Sequence, residues 1–171
     1  MMNDRIEKAF NEQLNAEMYS AYLYLSMNSY FHSVNLPGFA QWMLVQAEEE
    51  LQHAMKFYNY IVEKGGRVIL TTIEESQSEW DSPLAAFEHQ LAHEQKVTGL
   101  IDKLLNLAAE LNDHPVHEFL QWFVKEQVEE ESNARDLVNK ARMVGDDGPG
   151  RYMLDRELAT RKHKLIAAPK S

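Results

Sequence analysis

Cysteine is absent from the chain, which excludes disulfides and thiolate metal sites. No apolar run reaches the roughly 18 residues a membrane span needs, and the N-terminal Met1-Met2-Asn3-Asp4-Arg5 lacks the apolar segment of a secretion signal. The expectation is a soluble, cytoplasmic protein with no membrane partner. Positive charge is also scarce. Seventeen Lys and Arg stand against 27 Asp and Glu, for a net charge of -10. That balance argues against nucleic acid as a partner and favours cations. What is present is ordinary for a globular protein, with 44% hydrophobic and 26% charged residues. At 171 residues the chain is long enough for one well-packed domain and too short for two comfortable ones.

Apolar residues recur at helical spacing. From Asp4 to about Ser33 the stripe is Ile6, Phe10, Leu14, Glu17, Ala21, Tyr24 and Phe31. Asn35-Leu36-Pro37-Gly38 breaks it, and Pro37 is placed to open a second helix that runs to about Lys64, where Gly65-Gly66 supplies a left-handed cap. Residues 67–81 form a long connection that is briefly strand-like at Arg67-Val68-Ile69-Leu70; such a length suits a crossing of the whole molecule. Ser82-Pro83 starts a third helix, with Leu84, Phe87, Leu91, Glu94, Thr98, Ile101 and Leu105 on one stripe, ending near Asn112. Asp113-His114-Pro115 opens a fourth, lined by Val116, Leu120, Phe123, Gln127, Glu130, Ala134, Leu137 and Ala141. The breaker at 145–150 ends it. A short basic fifth helix is predicted over about 150–163, followed by a frayed tail at 164–171. Two tight helix pairs joined by one long crossover describe an all-α fold, a four-helix bundle over about 4–145 plus a short fifth C-terminal helix.

The run Glu49-Glu50-Leu51-Gln52-His53 lies inside the second helix. Glu50 and His53 are three apart and stack on one face, among Trp42, Met43, Ala47, Ala54, Phe57 and Ile61. An unpaired buried charge there would cost roughly several kcal/mol. Either a bound cation neutralises the pair, Glu-x-x-His being a metal-ligand spacing, or the helix is rotated so that the pair faces water. An internal repeat bears on the choice. Glu17 precedes Glu50 by 33 residues and His53 by 36, and Glu94 precedes Gln127 and Glu130 by the same intervals. The offset between halves is 77, and it also maps Phe10 onto Phe87, Gln13 onto Gln90, Leu14 onto Leu91 and Glu49 onto Glu126. In two antiparallel hairpins these groups fall at nearly one height. Glu17, Glu50, Glu94 and Glu130, with one imidazole and one amide, then converge at the centre of the bundle. Such an oxygen-rich set with one imidazole suits iron, manganese or, less selectively, zinc. A polar network held by hydrogen bonds alone is the competing reading, but it leaves many negative charges together.

At these residues the chain resembles the bacterial non-haem ferritins, over essentially its whole length. The matching positions are Glu17 with Tyr24, the Glu49-Glu50-x-x-His53 run, Glu94, and Glu126-Gln127-x-x-Glu130 preceded by Trp122. The Gln127-x-x-Glu130 motif separates it from bacterioferritins, which carry histidine at the Glu130 position and a haem-ligating methionine where Gln52 stands. No haem is therefore expected, and Met27, Met43 and Met55 are read as packing residues. The resemblance implies a two-iron ferroxidase centre. Glu17, Glu50 and His53 would hold one iron; Glu94, Glu130 and a bridging Glu50 would hold the other, with Gln127 close by. Glu49, Glu126 and Glu129 resemble a third iron site, which Glu130 could share.

It further implies that Fe(II) is oxidised by dioxygen or hydrogen peroxide and that ferric oxyhydroxide is stored in a homo-oligomeric, 24-mer shell. Tyr24 and Trp122 would stand near the centre as electron donors, or serve simply as core packing. His114, His117 and Glu118 would line an ion entry pore. Tyr152, Met153 and Leu158 are read as exposed apolar residues compatible with assembly. Two other readings stay open, a di-iron oxidase or peroxidase of rubrerythrin type and a non-enzymatic helical bundle.

Overall fold

The computed structural model describes residues 2–163. Five helices follow one another: α1 (Asp4–Ser33), α2 (Pro37–Glu63), α3 (Pro83–Glu110), α4 (His114–Val144) and α5 (Gly148–Leu158). Each start has a local cause. The side chains of Asn3, Ser82, Asp113 and Asp147 accept the backbone N–H groups of Arg5, Ala85, Val116 and Gly150, and proline stands in the first turn of α2, α3, α4 and α5. The stops match too. Asn35 and Asn112 both adopt left-handed backbone, at φ 59° and 53°, and Gly65 does so at 73°. The two asparagines are related by the same 77-residue offset, so the repeat extends to the hairpin turns.

α1 packs against α2 and α3 against α4, while α1 also meets α3 and α5 lies on α2 and α4. Across the bundle α2 reaches α4 through side chains, including the Phe57–Phe123 stack at 4.4 Å between ring centroids. The apolar interior falls into two clusters. One holds Tyr24, Met27, Phe31, Phe39, Met43, Phe87 and Leu137; the other holds Ile6, Phe10, Leu14, Phe57, Ile61, Leu120 and Phe123. The polar belt of Glu17, Glu50, His53, Glu94, Gln127 and Glu130 is buried along with them.

Residues 67–70 do not form a strand; the described residues contain none. The segment is extended because side chains of α1 take its backbone groups. Asn11 donates to the Arg67 carbonyl at 3.0 Å and accepts from the Ile69 N–H at 2.7 Å, as a neighbouring peptide would. Farther along, Asn15 donates to the Thr72 carbonyl and Ser26 to that of Gln77. The crossover therefore runs along α1, and Trp80 pins its end, packed on Tyr30 and donating to His89 Nδ1 at 3.1 Å.

Four further expectations need correction. The buried face of α3 is centred on Phe87, Gln90, Glu94, Val97, Ile101 and Leu104, with Leu84, Leu91, Thr98 and Leu105 on its half-buried flank. Polar His93 is inside because it meets the Ser20 hydroxyl at 2.8 Å, which an apolar stripe does not reveal, and Gln90 is buried beside it. The fifth helix spans Gly148–Leu158 instead of 150–163, and Leu158 is buried in the core, while Tyr152 and Met153 are exposed as expected. Met55 is exposed, although Met27 and Met43 pack inside. The expected tail at 164–171 lies outside the described residues. Among the described residues no helix is long and apolar enough to cross a membrane.

α5 is docked by a cap it supplies to another helix. Asp155 is buried, and its Oδ1 accepts the N–H groups of Gly38 at 2.8 Å and Phe39 at 3.0 Å, at the positive end of α2. A Cβ on Gly38 would lie 1.7 Å from the Asp155 carbonyl oxygen. Gly38→Ala must therefore push α5 off α2, at a cost of about 1–3 kcal/mol. Thermal unfolding should show a midpoint lower by several degrees; an unchanged midpoint would contradict this docking.

Candidate metal centre

α1 brings Glu17 into the bundle, α2 brings Glu50 and His53, α3 brings Glu94, and α4 brings Gln127 and Glu130. Their exposures are 1% for Glu17, 2% for Glu50 and His53, 1% for Glu94 and 4% for Glu130. The water-facing rotation of the Glu50–His53 pair is thereby excluded.

Two groups of ligand atoms are close enough to share an ion. Glu17, Glu50 and His53 offer one atom each within 4.8 Å of one another, and so do His53, Glu126 and Glu130. His53 Nδ1 lies 3.2 Å from Glu50 Oε2. Glu17 Oε2 and His53 Nε2 are buried and have no hydrogen-bond partner among the described residues. A bare carboxylate oxygen and a bare imidazole nitrogen within one ligand group are what a divalent cation satisfies, and native interiors rarely leave such atoms alone.

Four other carboxylate oxygens of the belt accept from neutral donors. Gln13 Nε2 donates to Glu17 Oε1 at 2.8 Å. Gln46 Nε2 donates to Glu130 Oε2 at 2.6 Å. Gln127 Nε2 donates to Glu94 Oε2 at 3.2 Å, and the Tyr24 hydroxyl donates to Glu94 Oε1. Glu94 thus has Tyr24 on one oxygen and Gln127 on the other. Trp122 stands at the edge of the centre, its ring edge-on to His53 at 5.3 Å, with Lys56 Nζ 4.1 Å over its face.

Crowding governs the charges. Burial, reinforced by the nearby Glu50 carboxylate, raises Glu17 to about 8. Burial and then Glu130 raise Glu94 to about 8. Burial, followed by the fields of Glu94 and Glu130, lifts Glu50 well above the ordinary carboxylate range. The Tyr24 hydroxyl is likewise raised, by burial and then by Glu94.

The third group expected from sequence is divided. Glu126 joins His53 and Glu130, whereas Glu49 and Glu129 belong to neither ligand group. Glu49 is buried and paired with Arg161, whose Nη2 lies 2.6 Å from Glu49 Oε2; Glu129 is exposed. His114, His117 and Glu118 are exposed at the start of α4. Sequence reasoning missed Gln46 and Arg161. A signal existed for Gln46. Gln13, Gln46 and Gln90 each precede a ligand-type glutamate by four residues, at Glu17, Glu50 and Glu94, one helical turn away. Arg161 had no such mark.

Comparison with known proteins agrees with this geometry. Residues 7–144 match the ferritin-like domain family. The chain belongs to that family. It is 40% identical over 161 residues to the bacterial non-heme ferritin of Bacteroides fragilis strain 638R, covering 94% of this chain and all of the relative. The bacterial non-heme ferritin of Campylobacter jejuni is 36% identical over 156 residues, covering 91% and 93%. Among solved structures, an engineered closed form of the Archaeoglobus fulgidus ferritin superposes with a TM-score of 0.95 at 51% identity, over 96% of this chain and all of that one. The open pore ferritin of the same archaeon gives 0.93 at 52% identity, over 95% and 100%.

Because Glu17 and Glu94 hold protons up to about pH 8, a cation entering this ferritin-like centre must displace them. Titration with redox-inert Co(II) at pH 7 should release protons, and apparent affinity should rise with pH and level off above about 8. In the cation-free protein the sign is opposite. The folded state keeps protons that an unfolded glutamate loses near its ordinary 4.5, so stability is greatest below that value and falls as the pH rises through about 8. Calorimetry of loaded and cation-free protein across pH 5–9 checks both signs.

Proposed function

We propose that the protein stores iron and oxidises Fe(II) at this intrasubunit centre. The observation that carries the reading is the pair of bare ligand atoms, Glu17 Oε2 and His53 Nε2, inside a belt of buried carboxylates. The relatives, bacterial non-heme ferritins, support the same reading.

One Fe(II) is held by Glu17, Glu50 and His53. The other is held by Glu94, Glu130 and Glu50 as a bridge, with Gln127 alongside. Each ion gives up one electron to the oxidant, dioxygen or hydrogen peroxide. The protein contributes through position and charge. Four anionic, hard ligands favour Fe(III) over Fe(II), so oxidation runs downhill. Tyr24 orients Glu94 through its hydroxyl, and Tyr24 and Trp122 are close enough to the ligands to pass an electron to the centre. Gln13 and Gln46 satisfy carboxylate oxygens without adding positive charge, which leaves the site's attraction for cations undiminished. A third iron is held by Glu126 with Glu130, flanked by Glu49 and Glu129. The oxidised product moves on to a cavity enclosed by copies of the chain, as a 24-mer, in the cytoplasm.

Aerobic addition of Fe(II) with oxygen-electrode detection tests this directly. His53→Ala should abolish fast oxidation while leaving the assembled mass by light scattering unchanged; wild-type initial rates in that variant would remove the assignment. Glu129→Ala should change the ratio of iron oxidised to oxygen consumed, with little effect on the first turnover. An untouched ratio would take Glu129 out of the third site.

A further inference from the structure

Tyr24 and Trp122 both stand beside the ligand belt, but their electrostatic surroundings are opposite. Trp122 is half-buried, edge-on to His53 at 5.3 Å between ring centroids. Lys56 follows His53 by three residues on α2, and its Nζ sits 4.1 Å over the Trp122 ring. Burial lowers that ammonium from the ordinary lysine value, and the Glu126 carboxylate works against the shift. Tyr24 has no cation of this kind among the described residues. It is fully buried, its hydroxyl donates to Glu94, and the fields of Glu94, Glu50 and Glu130 act on it.

These surroundings set how readily each ring gives up an electron. An indole that loses one becomes a cation, and the attraction between ammonium and ring turns into repulsion between two positive charges. A phenol that loses an electron also sheds its proton. Tyr24 already donates that proton to a carboxylate, amid negative neighbours that favour the loss.

We propose that Lys56 is a positioning residue whose charge keeps Trp122 from acting as the electron donor, so that the centre draws on Tyr24. The inference rests on the metal-centre reading of the preceding subsection and decides between the two donors named there. Its consequence is clearest when a single Fe(II) meets hydrogen peroxide. Iron supplies one electron and a side chain the second; with the side chain's proton and one more from solvent, peroxide leaves as two waters. With Lys56 in place that side chain is Tyr24.

Two oxidations of the assembled protein test this. In the first, azide radical takes one electron from an indole and leaves as azide ion. The ring N–H proton passes to water, and the carbon radical takes up dioxygen, giving products counted by peptide mass spectrometry. This oxidant is uncharged, so a change in surface charge does not alter its approach. Lys56→Met keeps the side chain's reach and removes its charge. It should raise oxidation at Trp122 about fivefold, the rate equivalent of one cation–π contact, with Trp42 and Trp80 as unchanged references. Lys56→Arg keeps the charge and should stay at the wild-type level. Equal Trp122 oxidation in wild type and Lys56→Met overturns the proposal. So does an equal rise in Lys56→Arg and Lys56→Met, which would make Lys56 a cover and nothing more. In the second, one Fe(II) per subunit and hydrogen peroxide replace the azide radical, and freeze-quenched electron paramagnetic resonance identifies the side-chain radical. Wild type should give a tyrosyl signal that Tyr24→Phe removes, and Lys56→Met should add a tryptophanyl signal. Iron oxidation in Lys56→Met without that signal overturns the proposal. A wild type that oxidises no iron sinks the metal-centre reading, and the proposal with it, whatever the azide result.

Discussion

Mutual repulsion among desolvated carboxylates is the constraint around which this bundle is arranged. Glu17, Glu50, Glu94 and Glu130 come from four different helices and meet where water is excluded. Without a counter-charge they can be tolerated only by holding protons, which is why Glu17 and Glu94 keep theirs to about pH 8. Hydrophobic packing supplies the force that keeps them there. Two apolar clusters, one around Phe31, Phe39 and Phe87 and the other around Phe10, Phe57 and Phe123, accompany the belt and bury it. The stability of the ends makes the strained middle possible.

The same logic explains the neutral partners. Glutamines and Tyr24 meet the carboxylates where lysine or arginine would have neutralised them. Among the described residues, Arg161 touches Glu49 and Gln46 from outside the belt. Placement of this guanidinium thus separates an inner set of carboxylates met by neutral donors from an outer carboxylate already paired.

Much of the fold was legible in the residues. The α1 and α4 stripes are buried as read, and the hairpin turns fall where Pro37, Asn35 and Asp113 place them, because caps and breakers act over a few residues. The 77-residue repeat aligned Glu17 with Glu94 and Glu50 with Gln127, and both sets do point inward. Errors arose where a nonlocal partner overrode the local pattern. Residues 67–70 have strand-like composition, yet Asn11 takes their backbone groups. His93, bonded to Ser20 of α1, takes a central place on the α3 face that leucines were expected to hold. Leu158 is apolar on a short terminal helix, and only the docking of α5 through Asp155 decides that it is buried.

By itself the sequence determined the helices, their pairing into two like hairpins, and the convergence of acidic side chains at one level, since periodicity and spacing are properties of the chain alone. Tertiary structure decided which atoms are left bare and which are satisfied. Glu17 Oε2 and His53 Nε2 are left without a hydrogen-bond partner among the described residues, while Glu94 is held by Tyr24 and Gln127 and Glu49 by Arg161. Those pairings join residues up to 112 positions apart, and no local rule carries information over that distance.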